Sequence, residues 1–147
     1  MILWALSDLA TASTPRLPTV TSDTESILEP YRWSLVFFTR ADCPLCDQLE
    51  TVLEDAQDIL NQLQEPAAVG DFESRKQQTP IYRAPTDRTN EFAVRHGISK
   101  FPTMKLFKKG VESFRPYRGG YTAAEVADYL HGLNAPSSTE LSTLEDA

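Results

Sequence analysis

From Leu45 to Leu63 apolar and acidic positions recur at a helical period. Leu45, Leu49, Val52, Leu53, Ala56, Ile59, Leu60 and Leu63 fall on one side, with Asp47, Glu50, Glu54, Asp55 and Asp58 mostly on the other. That spacing predicts a long amphipathic helix, ended by Pro66. Just before it, WSLVFFT (33–39) is a continuous aromatic and β-branched run, suited to a strand buried on both faces. Upstream, SDTESILEP predicts a short helix with Ser22 or Asp23 as N-cap and Pro30 as its stop, and Leu17–Thr21 reads as a short strand.

Towards the C-terminus, IYRA (81–84) reads as a strand and RTNEFAVRHG (88–97) as a short helix closing at Gly97. TMKLF, KKG and VESFRPY together predict a β-hairpin around a glycine-containing turn. In TAAEVADYLHGL (122–133), Thr122 stands three residues before Glu125, a capping-box spacing, and Val126, Tyr129, Leu130 and Leu133 form the apolar stripe. Strands alternating with helices and followed by a hairpin imply an α/β fold, with a central mixed sheet flanked by helices on both faces. The domain is expected over 17–133, with a polar loop or insertion at 65–80. An N-terminal tail (1–16) and an acidic flexible tail (134–147) flank it.

The chain of 147 residues suits one such domain. Its net charge of −7 argues against a nucleic-acid surface. No apolar run approaches the roughly 18–20 residues of a membrane span. The start, MILWALSDLATAS, has an apolar stretch at Ile2–Leu6 and an Ala10-Thr11-Ala12 triplet like a signal cleavage site. It lacks a basic region, however, and Asp8 interrupts it, so a degenerate signal segment and a frayed terminus are alternative readings. The final LSTLEDA carries no KDEL-type retention signal.

Both cysteines lie in TRADCPLCDQLE (39–50), where the strand gives way to the helix. Two cysteines so close exclude a disulfide scaffold. A redox dithiol, half of a metal site and a pair of inert thiols are the three readings. A metal site needs more close-spaced ligands, whereas His96 and His131 stand alone near helix C-termini, where a solvated or capping role suits them. With Cys43 as N-cap, Pro44 takes N1, where a missing N–H costs nothing. The Cys46 N–H then points back at the Cys43 sulfur, and free helix donors and the helix dipole favour a thiolate there. The expected division of labour is an exposed, attacking Cys43 and a more buried, resolving Cys46.

LVFFTRADCPLC, ISKFPTMKLFKKG and YRGGYTAAEVADYL, in this order, resemble the thioredoxin superfamily. Within it the chain is similar to the thioredoxin-like domains of the protein disulfide isomerase family, over roughly Leu17 to Leu133. The resemblance implies a thioredoxin fold and thiol–disulfide exchange with protein or peptide substrates, needing no cofactor and no metal. Pro102 matches the family's cis-proline facing the CxxC. It implies that the Phe101 and Thr103 backbone pairs with an extended substrate, with Pro44 and Leu45 also in contact and Leu45 and Phe101 forming an apolar rim.

The departures are specific. Phe37 stands where the family has a buried acid serving the second cysteine, Asp42 where an aromatic residue is common, and Asp47 where a basic one is. Carboxylates at 42 and 47 disfavour a thiolate. Thr51 replaces a helix proline, and Tyr121 an arginine, with Arg118 and Arg40 near in sequence. Pro44-Leu45 between the cysteines is closer to the glutaredoxin style. A redox-impaired binding or chaperone module and a glutathione-dependent glutaredoxin-like enzyme are therefore the alternatives to a protein oxidoreductase. The isomerase resemblance and signal-like start imply the secretory pathway and the endoplasmic reticulum lumen, with the cytoplasm as alternative.

Overall fold

A computed structural model of the chain describes residues 16–64, 78–86 and 91–134. The two expected tails, apart from Arg16 and Asn134, and positions 65–77 of the expected loop lie outside the described residues.

Four strands make one sheet in the order β2-β1-β3-β4. β1 (Trp33–Thr39) is central and buried at every position, as its unbroken apolar run requires. β2 (Ile81–Pro85) pairs parallel to it with Leu35 opposite Ile81, and β3 (Thr103–Lys108) pairs antiparallel with Leu35 opposite Leu106. β4 (Val111–Glu112) returns antiparallel to β3. The sheet is mixed. Lys109 and Gly110, at φ 52° and 85°, make the two-residue turn, the left-handed geometry that matches the twist of a tight hairpin.

Strand alternation sends Leu35, Phe37 and Leu106 to one face, where α1 (Pro44–Leu63) and α3 (Ala123–Leu133) cover them with Leu53, Ala56, Val126 and Leu130. Val36, Phe38 and Phe107 point to the other face, under the one-turn helix α2 (Phe92–Arg95) and a short 3-10 helix at Glu25–Leu28. Each fully buried large side chain contributes about 1.5–3 kcal/mol of transfer free energy. Thr122 caps α3 as expected: its Oγ1 accepts the Glu125 N–H at 3.2 Å and lies 2.8 Å from Glu125 Oε1.

Several expected elements are shorter in the structure. Leu17–Thr21 contributes only a parallel bridge, Thr19 to Arg83, because Pro18 has no N–H to extend the ladder. The segment before β1 is a 3-10 turn led by Thr24 rather than a helix capped at Ser22 or Asp23. Thr24 Oγ1 is occupied by the Thr21 N–H at 2.9 Å, and Pro30 follows within two residues of the turn's end. The second hairpin strand stops at Glu112; one further bond, Ser113 N–H to Leu106 O at 2.9 Å, follows, and then the Arg115 N–H turns to Ser113 Oγ at 3.0 Å instead of a ladder partner. Of the two roles expected for His96, the structure shows the cap: it is the C-cap of α2, and its ring, rather than being solvated, packs between the rings of Phe92 and Phe107 and meets Glu112.

Candidate active site

The chain leaves β1, turns through Asp42 at φ 56°, and enters α1 with Cys43 as N-cap and Pro44 in the first turn. A left-handed φ is tolerated by Asp better than by most residues. Proline pre-sets the helical φ and withdraws one surplus donor, leaving the Cys46 N–H to donate to Cys43 Sγ at 3.1 Å. The two cysteines, with Cα atoms 5.2 Å apart, form a disulfide. Cys46 is fully buried, and Cys43 is only 7 % exposed rather than open as expected. Its N-cap position tucks the sulfur over the first turn of α1, while Leu45 between the cysteines is 64 % exposed.

Leu45, between the two cysteines in sequence, lines a groove of about 440 Å³ together with Leu49, Val52, Pro102, Met104 and Tyr121, among others. It brings Leu45 of α1 together with Pro102, whose peptide bond with Phe101 is cis. Phe101 is half-buried and packs against both core layers, with the Arg40 guanidinium 5.8 Å above its ring. Thr103 opens β3 and donates its hydroxyl to Lys100 O at 2.6 Å. Tyr117 borders the same groove and donates to Gly120 O at 2.6 Å. Burial, then the neighbouring Tyr121 and Tyr129, push its phenol up to about 12, so it remains a donor at neutral pH.

Phe37, where an acid was expected by resemblance, is fully buried between Met104 and Arg83 in the sheet register. Sequence reading missed an ionic pair close by: Arg83 of β2 reaches Glu50 of α1, with Nη2 to Oε1 and Nε to Oε2 both 3.3 Å. The available signal was the i, i+4 spacing of Cys46 and Glu50. Among the described residues no cluster of three or more His, Cys, Asp or Glu side chains could hold a metal, and no helix is long and apolar enough to cross a membrane.

A family profile described as a thioredoxin-like domain matches residues 20–134. The chain belongs to this thioredoxin-like family. The chain is 27% identical over 146 residues to mouse endoplasmic reticulum resident protein 44, covering 99% of this chain and 34% of the relative. It is 25% identical over 105 residues to a Medicago sativa protein disulfide-isomerase, covering 71% of this chain and 19% of the relative. The chain thus spans about a third or less of the length of these curated relatives. A crystal structure of human ERp44 superposes with a TM-score of 0.69 at 25% identity, over 83% of this chain and 31% of that one. Oxidised thioredoxin from Plasmodium falciparum shares the fold, with a TM-score of 0.56 at 16% identity, over 81% of this chain and 99% of that one. This thioredoxin-like chain, similar to ERp44 and disulfide-isomerase relatives, carries its own CxxC pair at Cys43 and Cys46.

Proposed function

We propose that this domain is a thiol–disulfide oxidoreductase of protein substrates, working through Cys43 and Cys46. The observation that carries the reading is the disulfide at the start of α1, with Cys43 Sγ accepting a helix N–H. The same donor that meets the sulfur in the disulfide would stabilise a thiolate there after reduction. In the reducing direction the Cys43 thiolate attacks a substrate disulfide, forming a Cys43–substrate bond and releasing one substrate sulfur as thiolate. Cys46 then attacks Cys43 Sγ, the protein disulfide forms, and the second substrate sulfur leaves with the electron pair. The oxidising direction is the reverse.

Leu45, Pro44, Phe101, Pro102 and Thr103 are the proposed substrate contacts. The exposed Leu45 and the adjoining apolar groove favour unfolded or extended polypeptide. The relatives named as resident in the endoplasmic reticulum support the lumen of that compartment as the place of action. Phe37 favours a second reading, a substrate-holding module with little turnover, since an apolar residue replaces the acid expected beneath the cysteines.

One experiment separates the two. A Cys46→Ser chain is mixed with disulfide-containing insulin, with reduced insulin as the control that should give no complex, and trapped with acid. A covalent complex that is lost on reduction, together with loss of turnover in Cys43→Ser, supports exchange. Holding of denatured protein that survives replacement of both cysteines, with no trapped complex, supports the holding module.

A further inference from the structure

Cys46 is fully buried in the α1–α3 core layer, yet a thiol must lose its proton to act as nucleophile. Apolar burial opposes that ionisation, so the resolving step needs a base within reach. β1 supplies none, since Phe37 occupies the strand position below the cysteines. The helix does. Glu50 stands one turn on from Cys46, a spacing that puts the two side chains on one flank of α1 with Cβ atoms about 6 Å apart.

Glu50 is not turned to solvent. Its side chain is 16% exposed and bends toward the sheet, where Arg83, 20% exposed, holds it. Arg83 is the register neighbour of Phe37 on β2, so the pair flanks the position the phenylalanine fills. The strand does not depend on the pair: the Arg83 backbone bonds Pro18 and Val20. A part-buried ion pair carries a desolvation cost that apolar side chains would avoid, which leaves its presence here without a stability argument. Arg83 Nε, buried at 3.3 Å from Glu50 Oε2, lies off the line of a hydrogen bond, so the pair is not closed as a two-pronged clamp. The remaining carboxylates of α1 are engaged or outward: Arg16 takes Glu54, Asp55 and Asp58, and Asp47 is exposed.

We infer that Glu50, oriented by Arg83, is the proton acceptor for Cys46 in the resolving step. The inference rests on the exchange reaction proposed above. With a substrate joined to Cys43, the Cys46 S–H proton passes to the Glu50 carboxylate. The freed sulfur attacks Cys43 Sγ, and the Cys43–Cys46 bond forms as the Cys43–substrate bond breaks. The electron pair leaves on the substrate sulfur, and Glu50 returns its proton to solvent. Charged and titratable groups around Glu50 are Arg83 from β2, Cys46 and Glu54 from its own helix, and Arg16, which holds Glu54 from the segment before β1. β1 adds only the uncharged Phe37.

The test uses the reduced full chain and an aromatic disulfide that releases a coloured thiolate. Attack by Cys43 releases one equivalent, and resolution by Cys46 releases a second, so two phases report the two sulfurs separately. In Glu50→Gln the second phase is expected to slow by about a hundredfold, the usual scale for losing a general base, and to rise in proportion to hydroxide. The first phase is expected to keep its rate and pH profile, and Glu50→Asp to recover part of the second. A second phase with wild-type rate and pH profile in Glu50→Gln overturns the inference while leaving the exchange reaction intact. Should that variant fail to fold, Arg83→Gln is expected to slow the second phase selectively, and a wild-type profile there overturns the inference equally. A wild-type chain that releases only one equivalent in total, with none from Cys46, overturns the exchange reading, and this inference with it.

Discussion

Nδ1 of His96 lies 2.6 Å from Oε1 of Glu112, tying the end of α2 to the edge strand β4. Lys105 holds the other oxygen of the same carboxylate at 2.7 Å. The imidazole meets the rings of Phe92 and Phe107 at 4.6 and 5.1 Å between centroids, so the contact closes one edge of the second core layer.

This arrangement makes stability depend on pH. Burial alone would raise the Glu112 carboxyl, but the hydrogen bonds from Lys105 and His96 outweigh it and hold the group below its ordinary 4.5. A depressed carboxyl contributes stability that is full above 4.5 and disappears as pH falls through the lower folded value. Glu112→Gln is expected to cost about 1 kcal/mol at neutral pH. Urea unfolding checks this: the gap between wild type and variant should narrow as pH falls below 4.5, and a gap that stays constant across that range would contradict the assignment.

Leu45, a proposed substrate contact, allows binding and stability to be tested apart. Because it is mostly exposed, Leu45→Ser should change unfolding free energy by no more than about 0.5 kcal/mol. Loss of its apolar contact should weaken capture of an unfolded peptide by roughly tenfold, the value of burying part of one leucine. Fluorescence anisotropy with a labelled apolar peptide reads this, and unchanged affinity would remove Leu45 from the substrate surface.

Two glycines with positive φ should respond differently to alanine. Gly97, at 68°, has nothing within 4 Å of a new Cβ, so only the left-handed backbone strain of about 1–2 kcal/mol applies. At Gly110 a Cβ would also lie 2.8 Å from Glu29 Cγ and 3.2 Å from its Cα. Thermal unfolding should therefore rank Gly110→Ala below Gly97→Ala, and the reverse order would mean that Glu29 moves aside freely.

Thr122→Ala should cost about 1 kcal/mol, the usual value of a lost N-cap. Chemical denaturation measures it. A variant as stable as wild type would show that water replaces the cap at the Glu125 N–H.

Local patterns in this chain were legible because their physics is local. WSLVFFT has no polar position to turn outward, so it reads as a strand buried on both faces and is one. The CPLC stretch places cysteine, proline and cysteine at the first turn of a strongly periodic helix, and the N–H to sulfur bond follows from helix geometry alone. The N-cap at Thr122 is equally self-contained, although Glu125 meets the Thr122 hydroxyl rather than its backbone N–H. Less legible were the short elements, where Pro18 cuts one ladder and Ser113 Oγ takes the Arg115 N–H that the hydrophobic pattern alone would give to a strand.

The amino-acid order by itself determined the mixed α/β architecture, the placement of both cysteines at a helix start and the proline-led hairpin, since these depend on residues a few positions apart. Only the tertiary structure decided that Cys43 is tucked in rather than open, and that Leu45 and Pro102 share a groove. It also decided that Glu50 finds Arg83 across 33 positions and His96 finds Glu112 across 16. A hydrogen bond or ion pair needs its partners within a few ångströms. Which distant side chains come that close is set by how the helices pack on the sheet, and no periodicity along the chain records it.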